Sequence, residues 1–426
     1  MSRILRFIIH LGLLLSTGCA SIEQFLTERA PFAQPQISPT PASVTSTPVE
    51  TPVPNATQTA MPTSQARILR VWLPPQFDPN APTIAANILG HRLDDFEAAH
   101  PGLELEIRIK ADEGELGLVN ALSVTSVAAR SVLPDLVALS RPALESATLK
   151  GILHPIEGLS GTLDDRNWYG FARNLGHVQN IAFGLPFAGD VLVLVYRSEV
   201  ERINTWNDIL ASENPLVFAA GDPKAFVVLA LYVSAGGELL DAQGQPTLNQ
   251  DVLTRVLTMI SDGVLAGVFS PSSGNLVTDE QVLQAYLGER ANMAIFWASN
   301  YRAPQGQFTL PLPGLDETQF SFGTGWVWAL AGSNPENRQL AEELADYLVA
   351  DDFLRAWTRE SGYLPTRPSS VDSENATMTA ILESAQLIPS NEVISVLGPL
   401  MQDALVRVLN GEKPEVVAAS IIEQLP

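Results

Sequence analysis

The residues of this chain with chemical potential are aromatic and polar side chains at the ends of apolar runs, and the chemistry they offer is recognition. Met293 to Trp297 runs into Ala298-Ser299-Asn300-Tyr301. Phe322-Gly323-Thr324-Gly325-Trp326-Val327-Trp328 sets two tryptophans two apart, which is one face of a strand. An indole face stacks on the flat CH face of a sugar, nearby carboxylates and amides meet the hydroxyls, and such groups concentrate at the carboxyl ends of strands. Most tryptophans of the chain read as core. Trp297 and Trp326 adjoin Gly, Ser, Asn or Thr instead, which makes them candidates for a binding surface. Asp190 is a third candidate: a lone acid directly before the apolar run Val191 to Val195, it either caps local backbone or faces a cleft.

Catalytic constellations are missing from the sequence. The histidines, His10, His91, His100, His154 and His177, are scattered, with no pair at i, i+4 and no adjacent glutamate of the kind a zinc protease uses. No Gly-x-Ser-x-Gly elbow occurs, and no phosphate-cradling loop ends in Gly-Lys-Ser/Thr. Acidic pairs such as Asp94-Asp95 and Asp351-Asp352 fall at helix starts or on polar faces, where they compensate a helix dipole or stay solvated. No cofactor or metal is expected. A glycoside hydrolase would still need two facing carboxylates roughly 5 to 10 Å apart.

The elements that must position these groups alternate between helical and strand periods from Arg67 onward. Ile68 to Leu73 reads as a strand; Leu89, Leu93 and Phe96 recur on one helical face; Leu103, Leu105, Ile107 and Ile109 alternate with Glu104, Glu106 and Arg108. A strand over Leu133 to Leu139 leads to a helix ending at Gly151, so the opening is β-α-β then β-α, which predicts a mostly parallel sheet with helices on both faces. Phe183 to Asp190, rich in Gly and Pro, reads as a crossover, and Val191 to Val195 as a strand buried on both faces. Thr205-Trp206-Asn207-Asp208 opens a helix with a capping box. A second series follows: a strand at 216–220, helices from Asp222, Asn249 and Thr278, and strands at 291–297 and around 326–330. Helices at 335–349, 351–360, 374–385, 398–410 and 414–424 complete it.

The only cysteine, Cys19, stands after Arg3, Arg6, the apolar stretch Phe7 to Leu15 and Ser16-Thr17-Gly18, the order of an export signal. The stretch is shorter than the roughly 20 residues that span a bilayer. Residues 1–18 thus read as a signal. Residues 19–66, with repeated X-Pro from Pro31 to Pro62, read as an extended tether reaching on the order of 100 Å. Net charge is −22, a field that repels phosphate backbones and argues against nucleic acid as a partner. With 46% hydrophobic residues, the remaining 360-odd positions suffice for two ordinary domains, about two hundred residues each at most.

Two resemblances sharpen this reading. Gly18-Cys19, preceded by small residues, resembles the lipobox of bacterial lipoproteins, with Ser16 where leucine is usual; this implies acylation at Cys19 and a membrane contact made through lipid. Residues 67–426 resemble the extracellular solute-binding lipoproteins of ABC importers, the class that includes maltose-binding protein. The matching segments include Leu93 to Gly102, Pro134-Asp135-Leu136-Val137, Gly151 to Ile156, Gly184-Leu185-Pro186-Phe187 to Tyr196, Thr205 to Leu210, Gly288 to Ala294 and Gly362-Tyr363-Leu364-Pro365-Thr366-Arg367.

The resemblance implies an α/β, two-lobed periplasmic-binding-protein fold of type II, with the ligand cleft between lobes joined by crossover strands. Residues 67–188 plus about 323–371 would form the N-terminal lobe, and 189–322 plus about 372–426 the C-terminal lobe. It also implies a monomeric, non-enzymatic receptor on the outer face of the membrane that passes a sugar or polyol to permease subunits; a sensor presenting ligand to a signalling receptor is the alternative. By position, Asp190, Trp297, Ser299, Asn300 and Trp326 match places where the family contacts its ligand, with Phe77, Ser140, Arg141, Asp222 and Tyr363 as further carry-overs. Sugar binders often carry an aromatic where this chain has Leu139-Ser140-Arg141, so Arg141 would either meet an anionic group or pair with surface acids.

Overall fold

Eleven short and long strands organise the described residues, 67–157, 163, 167–302, 307–316 and 318–425, of this computed structural model. Cys19 and the segments expected to be a signal, 1–18, and a tether, 19–66, lie outside them. The strands are β1 (Arg67–Leu73), β2 (Leu103–Ile109), β3 (Leu136–Ser140), β4 (His177–Val178), β5 (Ile181–Ala182) and β6 (Gly184–Arg197), followed by β7 (Leu216–Val217), β8 (Met293–Trp297), β9 (Gln307–Pro311), β10 (Ser321–Leu330) and β11 (Ala385–Leu387).

Local sequence accounts for most of these elements. The helix Ile84–Ala99 buries Ala86, Leu89, Leu93 and Phe96 at helical spacing, and the Thr83 side chain caps it by accepting the Ala86 N–H at 3.1 Å. It stops ahead of Pro101 and of Gly102, whose φ of 88° only glycine adopts without strain. The capping box at Thr205 and Asp208 forms as expected and starts the helix Trp206–Ala211.

The main sheet runs β2-β1-β3-β10-β6-β8-β7, with β9 also on β6 and β11 on β10. Its outer pairs, β1–β2, β1–β3 and β7–β8, are parallel, but the centre is antiparallel: β10 runs against β3 and β6, and β6 against β8 and β9. The expected mostly parallel sheet is therefore a mixed one. β10 re-enters the sheet more than a hundred residues after β6, and the side-chain periodicity that identifies a strand carries no information on its partner's direction.

The segment expected as a crossover at 183–190 is strand, since β6 is continuous throughout 184–197. Its Gly and Pro residues serve close approach rather than a turn. A Cβ at Gly184 would meet Val327 Cγ2 at 2.5 Å, and Pro186 sits at the irregularity where β10 shifts register between Trp326 and Val327. The helix Asn391–Leu409 begins earlier than expected and runs through Pro399; its buried face of Val393, Leu397, Met401, Ala404, Leu405 and Val408 outweighs the lost backbone hydrogen bond. The helix Leu118–Ala128 and strands β9 and β11 carry no periodicity that set them apart beforehand.

The two halves of β6 belong to different neighbourhoods. From Gly184 to Val191 it pairs with β10; from Leu192 to Arg197 it is flanked by β8 and β9. Phe187 and Leu185 join a core with β1, β3 and the helices Ile84–Ala99, Pro335–Tyr347 and Asp351–Ser361. Leu192, Leu194 and Tyr196 join another with the helices Phe226–Ser234, Gln250–Leu265, Asn391–Leu409 and Pro414–Ile422.

Candidate solute-binding site

At the junction of these halves three chain segments cross. β6 and β10 pair through Gly189–Gly325, Asp190–Thr324 and Val191–Gly323. The segment after the helix Asp351–Ser361 joins them through a reciprocal pair, Gly189 N–H to the Leu364 carbonyl at 2.8 Å and Leu364 N–H back at 2.7 Å. Glycine at 189 admits this contact, since a Cβ there would stand 3.0 Å from the Leu364 oxygen.

Asp190 sits at that crossing, 8% exposed. Its Oδ1 accepts the backbone N–H groups of Val191 and Ser299, each at 3.0 Å, and its Oδ2 accepts the Ser299 hydroxyl at 2.6 Å. Burial pushes its carboxyl up to about 7; the Ser299 hydrogen bonds oppose the rise and the neighbouring Asp279 charge adds to it. Asp190 therefore caps backbone, as one reading had it, and does so by tying β6 to the loop that follows β8.

That loop gathers the other polar groups. Asp279, in the first turn of the helix Asp279–Leu287, accepts the Trp297 N–H at 2.8 Å and the Asn300 Nδ2–H at 2.9 Å through Oδ2, and burial raises its carboxyl above the usual range. Asp222, likewise raised by burial, accepts the Lys224 N–H at 2.9 Å and lies close enough for its charge to act on Asp279. Trp297 stays partly exposed and meets the edge of Phe226 at 5.5 Å. Trp297, Ser299, Asn300, Asp190 and Asp222 are thus brought into one neighbourhood, together with Asp279, Phe226 and Lys224, which sequence reasoning missed. Asp279 was visible only as a first-turn acid behind Thr278; nothing in the sequence joins it to a tryptophan 18 residues on.

The remaining candidates lie differently. Phe77 is 2% exposed, and its ring meets Phe187 and Trp326 at 5.1 Å, Tyr363 at 5.4 Å and Trp357 at 5.6 Å. Trp326 is 7% exposed within the same cluster. Tyr363 stacks on Trp357, and its hydroxyl bonds Trp326 and Gln76. Burial, then the charges of Asp190 and Asp112, raise that hydroxyl's pKa, so Tyr363 lies within reach of both acids. Asp112 is itself pushed up to about 6 by burial and the Glu113 charge, against the pull of Lys224 and a hydrogen bond from Gln76.

Arg141 serves the fold. Its Nε–H donates to Glu145 Oε1 at 2.8 Å, and Nη1 donates to the carbonyls of Asn174, Leu175 and His177. Glu145 Oε2 accepts the Asn391 N–H at 2.8 Å, so the pair also holds the start of the helix Asn391–Leu409. It pairs with an acid, as one alternative had it, but that acid is buried and not at the surface. Ser140, at the end of β3, lines a cavity of about 240 Å³ with Asp112, Glu113 and Asn120.

Residues 91–384 match the family described as bacterial extracellular solute-binding protein. The chain belongs to that family. Solved structures agree on the fold of this solute-binding protein. Maltose-bound MalE3 of T. maritima is 18% identical with a TM-score of 0.64 and covers 84% of this chain and 98% of its own. The sugar-binding protein MalE from Xanthomonas citri is 16% identical, with a TM-score of 0.67, 84% and 96% covered. An ABC transporter solute-binding protein from Thermotoga lettingae bound with α-D-tagatose is 20% identical, with a TM-score of 0.61, 84% and 100% covered. No curated protein matches. These likenesses give the solute-binding protein the two-lobed fold of MalE-like proteins. Family and fold are those of binding proteins. No helix among the described residues is long and apolar enough to cross a membrane.

Proposed function

We propose that the protein is a lipid-anchored extracellular receptor that captures a carbohydrate or polyol between its lobes and delivers it to an ABC permease, acting as a monomer without catalysis. The observation that carries this reading is the junction itself, where Trp297, Asn300, Asp279, Asp222, Ser299 and Asp190 gather beside the crossing of β6, β10 and the Leu364 segment. A partly exposed indole flanked by carboxylates and amides fits a polyhydroxylated solute. The carboxylates of Asp190 and Asp279 already accept donors from the fold, which supports binding over acid–base work.

The change of partners along β6 supports division into a lobe of 67–188 plus about 323–371 and another of 189–322 plus about 372–426. Segments of that kind act as hinges, so solute would close one lobe on the other. The lipid anchor rests on Cys19 and its surroundings.

Titration calorimetry with maltose, maltotetraose and tagatose tests the ligand class. Saturable heat with one of them, together with a melting temperature that rises with ligand, is the expected outcome. Silence for sugars and polyols with a response to amino acids would move the ligand class; hydrolysis of an added glycoside would overturn the non-catalytic reading. Cys19→Ser should leave the membrane fraction for the soluble one, and a variant that still sediments with membranes would defeat the lipid anchor.

A further inference from the structure

Next to the junction lies a cavity of about 400 Å³ lined by Ala298, Tyr301, Arg302, Thr309, Arg359 and Tyr363, with Asn375, Thr377 and Met378 among its other walls. It is unusual for its charge. The chain carries 25 Lys+Arg against 47 Asp+Glu, yet two arginines stand at this one opening. Arg302 is exposed and has no ion pair or hydrogen bond among the described residues. Arg359 donates through Nη2 to Asp372 at 3.1 Å, but Asp372 also serves Arg355 at 4.0 Å, so one acid is shared between two guanidinium groups. The start of the helix Ala376–Ser384 lies at the same wall, where the partial positive charge of the backbone adds to theirs.

We propose that this cavity is a second, anion-binding site, separate from the solute site, that takes a small oxyanion-bearing molecule such as a phosphate ester. The chemistry is specific. A guanidinium presents a planar fork that matches the oxygens of phosphate, Arg302 has its donors unspent, and the threonines at 309 and 377 can donate hydroxyl hydrogens to further oxygens. Tyr301, whose hydroxyl donates to Gln307 Oε1 at 2.7 Å, and Met378 offer apolar surface to the organic part of such a molecule. The site also touches the hinge: Tyr363 and Leu364 line it and belong to the segment paired with Gly189, and Ala298 precedes the Ser299 that holds Asp190. An occupant therefore bears on the same connections that solute closure would move.

Calorimetry of the full chain in detergent at low ionic strength, with inorganic phosphate and with glycerol phosphate, tests the proposal. Saturable binding of at least one probe is expected, weakened about tenfold or more in Arg302→Gln, as loss of a charge-assisted contact implies. Arg359→Gln should weaken it too, and Trp297→Ala should leave it within about twofold. Melting curves check that each variant is folded; should Arg302→Gln fail to fold, Arg302→Lys and Arg359→Gln carry the same comparison. Absence of saturable binding, or an affinity unmoved by both arginine variants, overturns the site. Anion binding lost in Trp297→Ala but kept in Arg302→Gln overturns it as well, by placing the anion with the solute. Sugar binding without anion binding defeats this proposal alone, whereas the reverse defeats the sugar reading and leaves this one standing.

Discussion

The two ends of β6 use aromatic and polar residues in opposite ways. Toward Gly184, the strand lies beside a cluster in which Phe77, Phe187, Trp326, Trp328, Trp357 and Tyr363 spend their ring faces and edges on one another. Past Asp190, Trp297 keeps part of its surface exposed and is surrounded by Asp279, Asn300 and Ser299. A tryptophan at a strand end thus becomes a contact surface only where packing leaves its face unclaimed. Neighbouring Gly or Thr in sequence does not secure that, as Trp326 shows. Its backbone pairs with Ser140 and Ala188 on either side, and Phe77 covers its ring.

The hardest way to break the contrast is from the packed end. Arg141→Met should destabilise the fold by about 3–5 kcal/mol in urea unfolding, because it leaves Glu145, itself largely buried, without its cation. A further Glu145→Leu change should recover much of that loss; a single variant within about 1 kcal/mol of the native protein would return Arg141 to the pool of ligand contacts. Phe77→Ala should cost about 3–5 kcal/mol through the cavity it opens beneath Trp326. At the open end the expected balance reverses. Trp297→Ala should weaken solute binding about tenfold or more in calorimetry while costing less stability than Phe77→Ala, and an unaltered dissociation constant would remove it from the site.

Asp190 gives the finest discrimination, because it belongs to both ends. Its carboxyl binds its proton more tightly in the folded state, about 7, than the ordinary 3.8 of an unfolded chain. Between those values the folded state holds more protons than the unfolded one, so this group's contribution to stability is full below pH 3.8, falls as pH rises, and is lost above about 7. Asp190→Asn should remove that decline: the difference in unfolding free energy between variant and native protein should tilt toward the variant from pH 5 to pH 7. A difference independent of pH would show that Asp190 titrates normally.

Much of the site could be read in advance where the signal is local. The apolar run ending at Trp297, the polar Ser299-Asn300 after it and the isolated acid Asp190 were legible as types and positions, and the structure brings them together through hydrogen bonds from Ser299 to Asp190 and from Asn300 to Asp279. Asp279, Lys224, Gln76 and Asp112 were not legible, because each sits in an ordinary local context and acquires its surroundings from segments far along the chain.

The sequence by itself determined where most helices and strands form, their caps, the acidic charge, the absence of catalytic spacing and the membership of residues 91–384 in a binding-protein family. These follow from side-chain period, capping chemistry and composition, which act over a few residues. Only the tertiary structure decided that the sheet's centre is antiparallel, that β6 runs unbroken through its glycines and proline, and that Arg141, Phe77 and Trp326 are claimed by the interior. Strand direction, close backbone approach and the covering of a ring depend on which distant segments meet, and period-two or period-3.6 patterns are blind to that.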